Sequence, residues 1–250
     1  MSEPEQKLTL IGHLGELRVR LTWSAVAVAV GVAVCFIFRN WIFAILQAPA
    51  SYLEFQAIDM TENMNAIMQV CFIGGIIIAM PVLIYHGIMF VAPALSRQEK
   101  KGVFIIIPWI TIMFLGGVVF GYFMLAPWTV WFLSTFGSDF ATTFPRISTY
   151  IGFLTKLLLL VGLVFEMPVL ATFLARIGIL KPQWLSSKRG LAIIICFVAA
   201  AIITPPDPIT QLLLAIPLIL LYEMSIILAR VAYRRKQEAA ARKAAEEDEG

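Results

Sequence analysis

Charge is what this chain has least of. Only 14% of its 250 residues are Asp, Glu, Lys or Arg, while 60% are hydrophobic and the mean hydropathy is +0.87. Soluble domains carry about 25% charged and about 45–50% apolar residues, so a water-soluble fold is excluded. The reading is an integral membrane protein whose spans use up the length and leave no room for a separate soluble domain. A net charge of +3 is too small to indicate nucleic acid. Cysteine is scarce as well. Cys35, Cys71 and Cys196 lie apart inside apolar runs, which gives neither a disulfide framework nor metal-ligand spacing; they read as small buried hydrophobes, with a Cys35–Cys71 bridge as the alternative. Two histidines, His13 and His86, make no metal site. HExxH, GxSxG, P-loop and GxGxxG patterns are all missing, so catalytic residues, cofactors and enzymatic activity are not expected.

What is present is a series of long apolar runs separated by prolines and short charged turns. Residues 1–20 are polar, with Ile11, Leu14, Leu17 and Leu21 at three- and four-residue spacing. They predict a short amphipathic helix on the cytoplasmic surface that runs into span 1, Leu21 to Phe38. That run of about 18 residues exceeds a signal-peptide core of about 7–15, and Phe36-Ile37-Phe38 is a poor cleavage site. Further spans are predicted at about 66–90, 103–125 and 150–174, with outer loops at 39–65 and 128–149. Trp41, Phe43, Ile45 and Leu46 put part of the first outer loop in the interface.

Span 5, Gly190 to Ile203, is anomalous. It has about 14 residues before Thr204-Pro205-Pro206-Asp207-Pro208, and at 1.5 Å per residue reaches about 21 Å against a hydrocarbon core of about 30 Å. Span 6 gives another short run, Ile209 to Tyr222, before Glu223, and continues apolar to Ala229. A hairpin too short for the full bilayer is expected, with local thinning as the membrane's response. Residues 230–250 are expected to be a charged cytoplasmic tail, frayed or disordered. Charge tests the topology. Of 19 Lys and Arg, Arg39 and Arg146 fall outside, Lys156 falls within span 4, and the remainder lie on inner segments once both termini are placed in the cytoplasm. The fold class is therefore all-α, with six transmembrane helices.

Four sets of residues are candidates for chemistry. Glu166, deep in span 4 beside Pro168, is an intramembrane carboxylate and a functional candidate on that ground alone; pairing with Lys156 or a backbone group is the structural alternative. Glu16 and Glu99 stand at cytoplasmic span ends beside basic residues, either as ligand contacts or as solvated charges in local salt bridges. Asp207 caps span 6 or contacts a partner. Gln211, one turn into span 6, is placed to pair polar groups across helices.

These residues lie in four ordered motifs: HLGELRVRL at 13–21, FVAPALSRQEKK at 90–101, FEMPV at 165–169 and TPPDPITQLLLAIPL at 204–218. With the six-span pattern they resemble the TatC family, the multi-spanning subunit of the twin-arginine protein translocase, from about residue 8 to 230. The resemblance implies a signal-peptide receptor in the bacterial inner membrane. Such a receptor works in the export of folded proteins driven by the proton motive force. Peptides with consecutive arginines would bind at Glu16 and Glu99, with Arg18 and Phe90 in the same motifs. It also implies a concave, glove-like bundle with helices 5 and 6 short and Glu166 on the concave face, keeping water in the bilayer. Thr204, Gln211 and Asp207 would face single-span TatA- and TatB-type partners in a complex holding several copies of the chain. The family often has arginines after the glutamate of the first inner loop, where this chain has Lys100 and Lys101. An ion-coupled transporter using Glu166 is the rival, but no internal repeat relates residues 1–125 to 126–250. A scaffold whose glutamates only set topology is the third reading.

Overall fold

A computed structural model describes residues 10–91, 97–136, 144–204 and 207–248. Nine helices account for nearly all of these residues, and among them the one extended pairing is an isolated parallel bridge between Gln56 and Arg146. The first, α1 (Leu10–Ile37), is one unbroken rod. From Leu10 on, the amphipathic segment and span 1 are thus a single helix, since nothing between Leu10 and Leu21 interrupts the i→i−4 ladder; residues 1–9 of that segment lie outside the described residues. A short helix α2 (Arg39–Gln47) turns back with Leu46 buried and Trp41 exposed, as the aromatic content of this loop predicted. Pro49 then starts a single 3₁₀ turn, Ala48–Ala50.

Helix α3 (Glu62–Val91) carries Pro81 without breaking. The next rod corrects the sequence reading. Instead of ending near Leu125, α4 (Arg97–Phe120) passes through a π-helical turn, Gly121–Leu125, into α5 (Ala126–Thr135). Pro127 lacks the N–H that an α-helix needs there. The wider π turn accommodates that loss, and residues predicted as outer loop continue the helix.

Helix α6 (Ile147–Ile177) is the spine and packs on α3, α4 and α9. It ends at Gly178, whose φ of 86° supplies the left-handed cap that a side chain would strain. The short α7 (Pro182–Ser187) follows, then α8 (Arg189–Ile203) of 15 residues. The shortness expected of helix 5 is present. Helix 6 differs from expectation: α9 (Pro208–Asp248) runs 41 residues without a stop. Glu223, a good helix former, does not end it, and its carboxylate pairs with Arg189 of α8 at 2.8 Å. The tail, expected to be a frayed helix or disordered, is helical to Asp248, as its Ala, Glu, Lys and Arg residues favour.

Among the described residues five helices are long and apolar enough to cross a membrane, and α8 is a shorter sixth. Helices α3, α4 and α6 pack on one another; α1 joins them through α3, α9 through α6, and α8 through α9. The contact between α1 and α3 is very close. A Cβ on Gly31 would lie 2.5 Å from the Gly75 oxygen, and one on Gly75 would lie 2.6 Å from the Val32 nitrogen. Small residues let two backbones meet where lipid supplies no hydrophobic drive. The main core lies between α3, α5, α6 and α9, around Ile151, Leu154, Leu157, Val161 and Leu214.

The outer ends are tied by polar groups. Arg146 reaches Asp59 at 3.5 Å and Glu62 at 3.1 Å. The Gln56 N–H donates to Pro145 O, and the Ile147 N–H donates to Gln56 O, each at 3.1 Å. The hydroxyls of Tyr122 and Tyr150 donate to Ile45 O and Leu46 O at 2.7 and 2.6 Å, tying the end of α2, where Ile45 O also accepts the Ala48 N–H, to α6 and the π turn.

Candidate functional site

The candidate residues form three groups: Glu16, Phe90 and Glu99 at the inner ends of α1, α3 and α4; Glu166 within α6; and the α8–α9 hairpin. At the inner end, Glu16 lies on the first turns of α1 and is one-quarter exposed. Arg20, one turn on, donates both Nε (3.0 Å) and Nη2 to the same oxygen, Oε1. The local salt bridge considered from sequence is therefore formed, and it occupies one of the two carboxylate oxygens. Arg18 is exposed, and its carbonyl accepts the Thr22 hydroxyl at 2.9 Å. Phe90 is half-buried in the last turn of α3. Glu99 is in the first turn of α4, with its side chain outside the described residues, as is that of His13. Because α3 packs on both α1 and α4, the backbone carries the Glu16, Phe90 and Glu99 positions on the inner ends of three neighbouring helices.

Glu166 is buried, at 6% exposure, and its Oε1 has no hydrogen-bond partner. It lines a cavity of about 310 Å³ whose walls are Ile84, Gly87 and Ile88 of α3 and Leu170, Phe173 and Ile177 of α6. Lys156 is exposed, ten residues or about 15 Å along the helix. It does not pair with Glu166, so the Lys156 half of the structural alternative is not realised. Thr172 donates to Pro168 O at 2.6 Å, closing the turn after the proline. Chemically the site is an apolar slot with one buried carboxyl group.

The hairpin residues of the third group are engaged within the hairpin. Asp207 Oδ1 accepts the Thr210 N–H at 2.8 Å and Oδ2 accepts the Thr210 hydroxyl, an N-cap on α9. Thr204 is buried and donates to Ala200 O at 3.0 Å. Gln211 Nε2 donates to Phe197 O of α8 at 3.1 Å, the cross-helix bond its position suggested.

The cysteines remain thiols, Cys35 and Cys71 buried and Cys196 half-buried. No group of three His, Cys, Asp or Glu among the described residues is placed to hold a metal. Sequence reasoning missed three polar ties: Arg146 with Glu62, Arg189 with Glu223, and Lys236, whose Nζ donates to Ile177 O at 2.5 Å. Arg146 carried a signal that could have exposed it, since it is an outer arginine in a chain whose cations sit inside, facing a loop that holds Glu54, Asp59 and Glu62.

A set of long apolar helices with polar groups at both ends and one carboxyl group buried mid-span defines a polytopic helical membrane protein. Residues 12–217 match the family model described as Sec-independent protein translocase protein (TatC). A protein of that name from Desulforapulum autotrophicum is 42% identical over 94% of this chain and 89% of its own length. One from Aquifex aeolicus is 38% identical over 92% and 98%. A crystal structure described as the twin arginine translocase receptor TatC superposes with a TM-score of 0.81 at 38% identity, covering 88% of this chain and 99% of that one. The chain belongs to the TatC family, and it is a component of the Sec-independent protein translocase rather than an enzyme.

Proposed function

We propose that this chain is the signal-peptide receptor of its translocase, holding consecutive arginines between Glu16 and Glu99, with Arg18 and Phe90 bordering the site. The observation that supports this most is the Glu16 carboxylate itself. It already holds a guanidinium, that of Arg20, through one oxygen, so an incoming arginine meets chemistry the site performs at rest. Guanidinium binds carboxylate through a planar fork, whereas lysine offers a point charge. Two unit charges about 4 Å apart at an effective dielectric of about 20 attract by roughly 4 kcal/mol before desolvation. That attraction holds either cation; the preference for arginine comes from the fork, which two suitably spaced carboxylates engage and an ammonium cannot.

The α8–α9 hairpin, through Thr204, Gln211 and Asp207, is the proposed seat for single-span subunits of the TatA and TatB type. A concave bundle of this size cannot enclose a folded cargo, so such partners and further copies of the chain supply the passage, driven by the proton motive force.

The test is binding of a twin-arginine signal peptide to the purified chain in nanodiscs. Wild type is compared with Glu16→Ala and Glu99→Ala, and a Lys-Lys peptide serves as control. The receptor reading expects each change to weaken binding by more than about tenfold, or about 1.4 kcal/mol. Unchanged binding in both variants would assign the two glutamates to topology alone.

A further inference from the structure

We infer that the inner corner formed by α6, α7 and the cytoplasmic part of α9 is a binding site for an anionic phospholipid of the inner leaflet. The corner is built by contacts that sequence distance hides. Leu185 of α7 packs with Ala171 and Ala175 of α6 and with Tyr222, Ile226 and Ala229 of α9. The Tyr222 hydroxyl donates to Leu185 O at 2.8 Å. Beyond the core, Lys236 Nζ donates to Ile177 O at the end of α6, where the helix dipole favours a cation. A run of basic residues on α9 is thereby brought beside the α6–α7 turn, 59 residues away in the chain.

The cations gathered here are Arg176, Lys181, Lys188, Arg230, Arg234 and Arg235, all exposed. Glu223 faces the same end but is bound to Arg189, and Glu238 is the nearest other described carboxylate along α9. The excess of positive charge is therefore uncompensated by ion pairs among the described residues. Next to it lies a hollow of about 340 Å³ lined by Ile179, Leu180, Lys181 and Trp184. Ile179 and Trp184 are each 59% exposed, which is unusual for an isoleucine and a tryptophan unless lipid covers them. A tryptophan beside lysines at the inner end of apolar helices is an interfacial anchor.

Apolar and aromatic lining joined to a cationic rim at the membrane surface matches an acyl chain joined to a phosphodiester headgroup, and basic pockets on this side of helical membrane proteins hold such headgroups. The occupant is a phospholipid with one or two negative charges. Its phosphates would meet Lys181, Arg234 and Arg235, and its chain would lie on Ile179 and Trp184.

The experiment uses the full chain, stripped of lipid in a neutral detergent. It is incubated with diphosphatidylglycerol, phosphatidylglycerol or phosphatidylcholine, and retained lipid is counted by native mass spectrometry. Diphosphatidylglycerol is expected to be retained about tenfold over phosphatidylcholine. Combined Lys181→Gln, Arg234→Gln and Arg235→Gln should cut retention by about fivefold or more, and added salt should weaken it. Trp184→Ala tests the chain contact separately and should also lower retention, whereas Lys181→Arg and the outer-end Arg39→Gln should preserve it. Unfolding temperatures confirm that the variants fold. Equal retention of phosphatidylcholine, or a triple variant that keeps its lipid, would overturn the inference. So would displacement of the lipid by millimolar inorganic phosphate, which would mark a phosphate site.

Discussion

Arg146 Nε stands 3.1 Å from Glu62 Oε1, and Oε2 of the same buried carboxylate accepts the Ile58 N–H at 3.0 Å. One outer arginine thus holds the start of α6 to the start of α3. Removing the cation leaves a carboxylate that is 7% exposed with a backbone donor as its remaining partner. Arg146→Ala should lower stability by about 2 kcal/mol, below the 3–5 kcal/mol of a fully buried pair because Arg146 is half-exposed. Glu62→Gln should cost less, since an amide still accepts the Ile58 N–H. Thermal unfolding in detergent measures both, and an Arg146→Ala protein as stable as wild type would show that the pair carries no stability.

Two glycines of the same type should respond in opposite ways. Gly75→Val drives a side chain into Val32 of α1, where a bare Cβ already comes within 2.6 Å. A cost of about 1–3 kcal/mol is expected, with α1 levered away from α3. Cys35, now 1% exposed, should become reactive to a maleimide. Gly15→Ala has nothing within 4 Å of its new carbon and should stabilise α1 by about 0.5–1 kcal/mol. A Gly75→Val chain with Cys35 still protected would show that the close approach is dispensable.

Glu166 presents an unpaired oxygen to an apolar slot. Leaving a buried polar atom unsatisfied costs about 1–3 kcal/mol. Glu166→Leu should therefore raise the stability of the isolated chain by that order, and Glu166→Gln should change it little. Melting curves in detergent decide the matter. A less stable leucine variant would mean that the carboxyl group has a ligand which survives purification.

Asp207 separates local capping from partner contact. As the N-cap of α9, Asp207→Ala should cost about 1 kcal/mol and Asp207→Asn almost nothing, because an amide oxygen still accepts the Thr210 N–H. If both substitutions leave the melting temperature unchanged yet abolish export by the whole translocase, the carboxylate serves a partner rather than its own helix.

How much of this was legible in the sequence depended on the range of the interaction. Apolar runs, the proline-rich stop after Ile203 and the sidedness of Lys and Arg are local, and they located the spans and the short fifth helix. Asp207 was readable as a cap because its acceptor geometry needs only the next three residues. Pairings across the chain were not readable. Nothing near Glu223 announces that Arg189, 34 positions earlier, is its partner. Nothing in Gly31 names Gly75 as its neighbour. The continuation of α4 into α5 was hidden for another reason, since a π turn lets a helix pass a proline that ordinarily marks its end. At the candidate site, Glu16 could be found by its motif, but its bond to Arg20 required the helix register.

The 15 residues of α8 measure about 22 Å, against about 30 Å for an ordinary hydrocarbon core. Where the hydrocarbon thins to the length of α8, a voltage dropped across it produces a gradient about 1.4 times steeper than across the surrounding lipid. A charge moving there would do the same total work in fewer ångströms, which would make the α8 edge the place where an electrical driving force acts most strongly per unit of displacement.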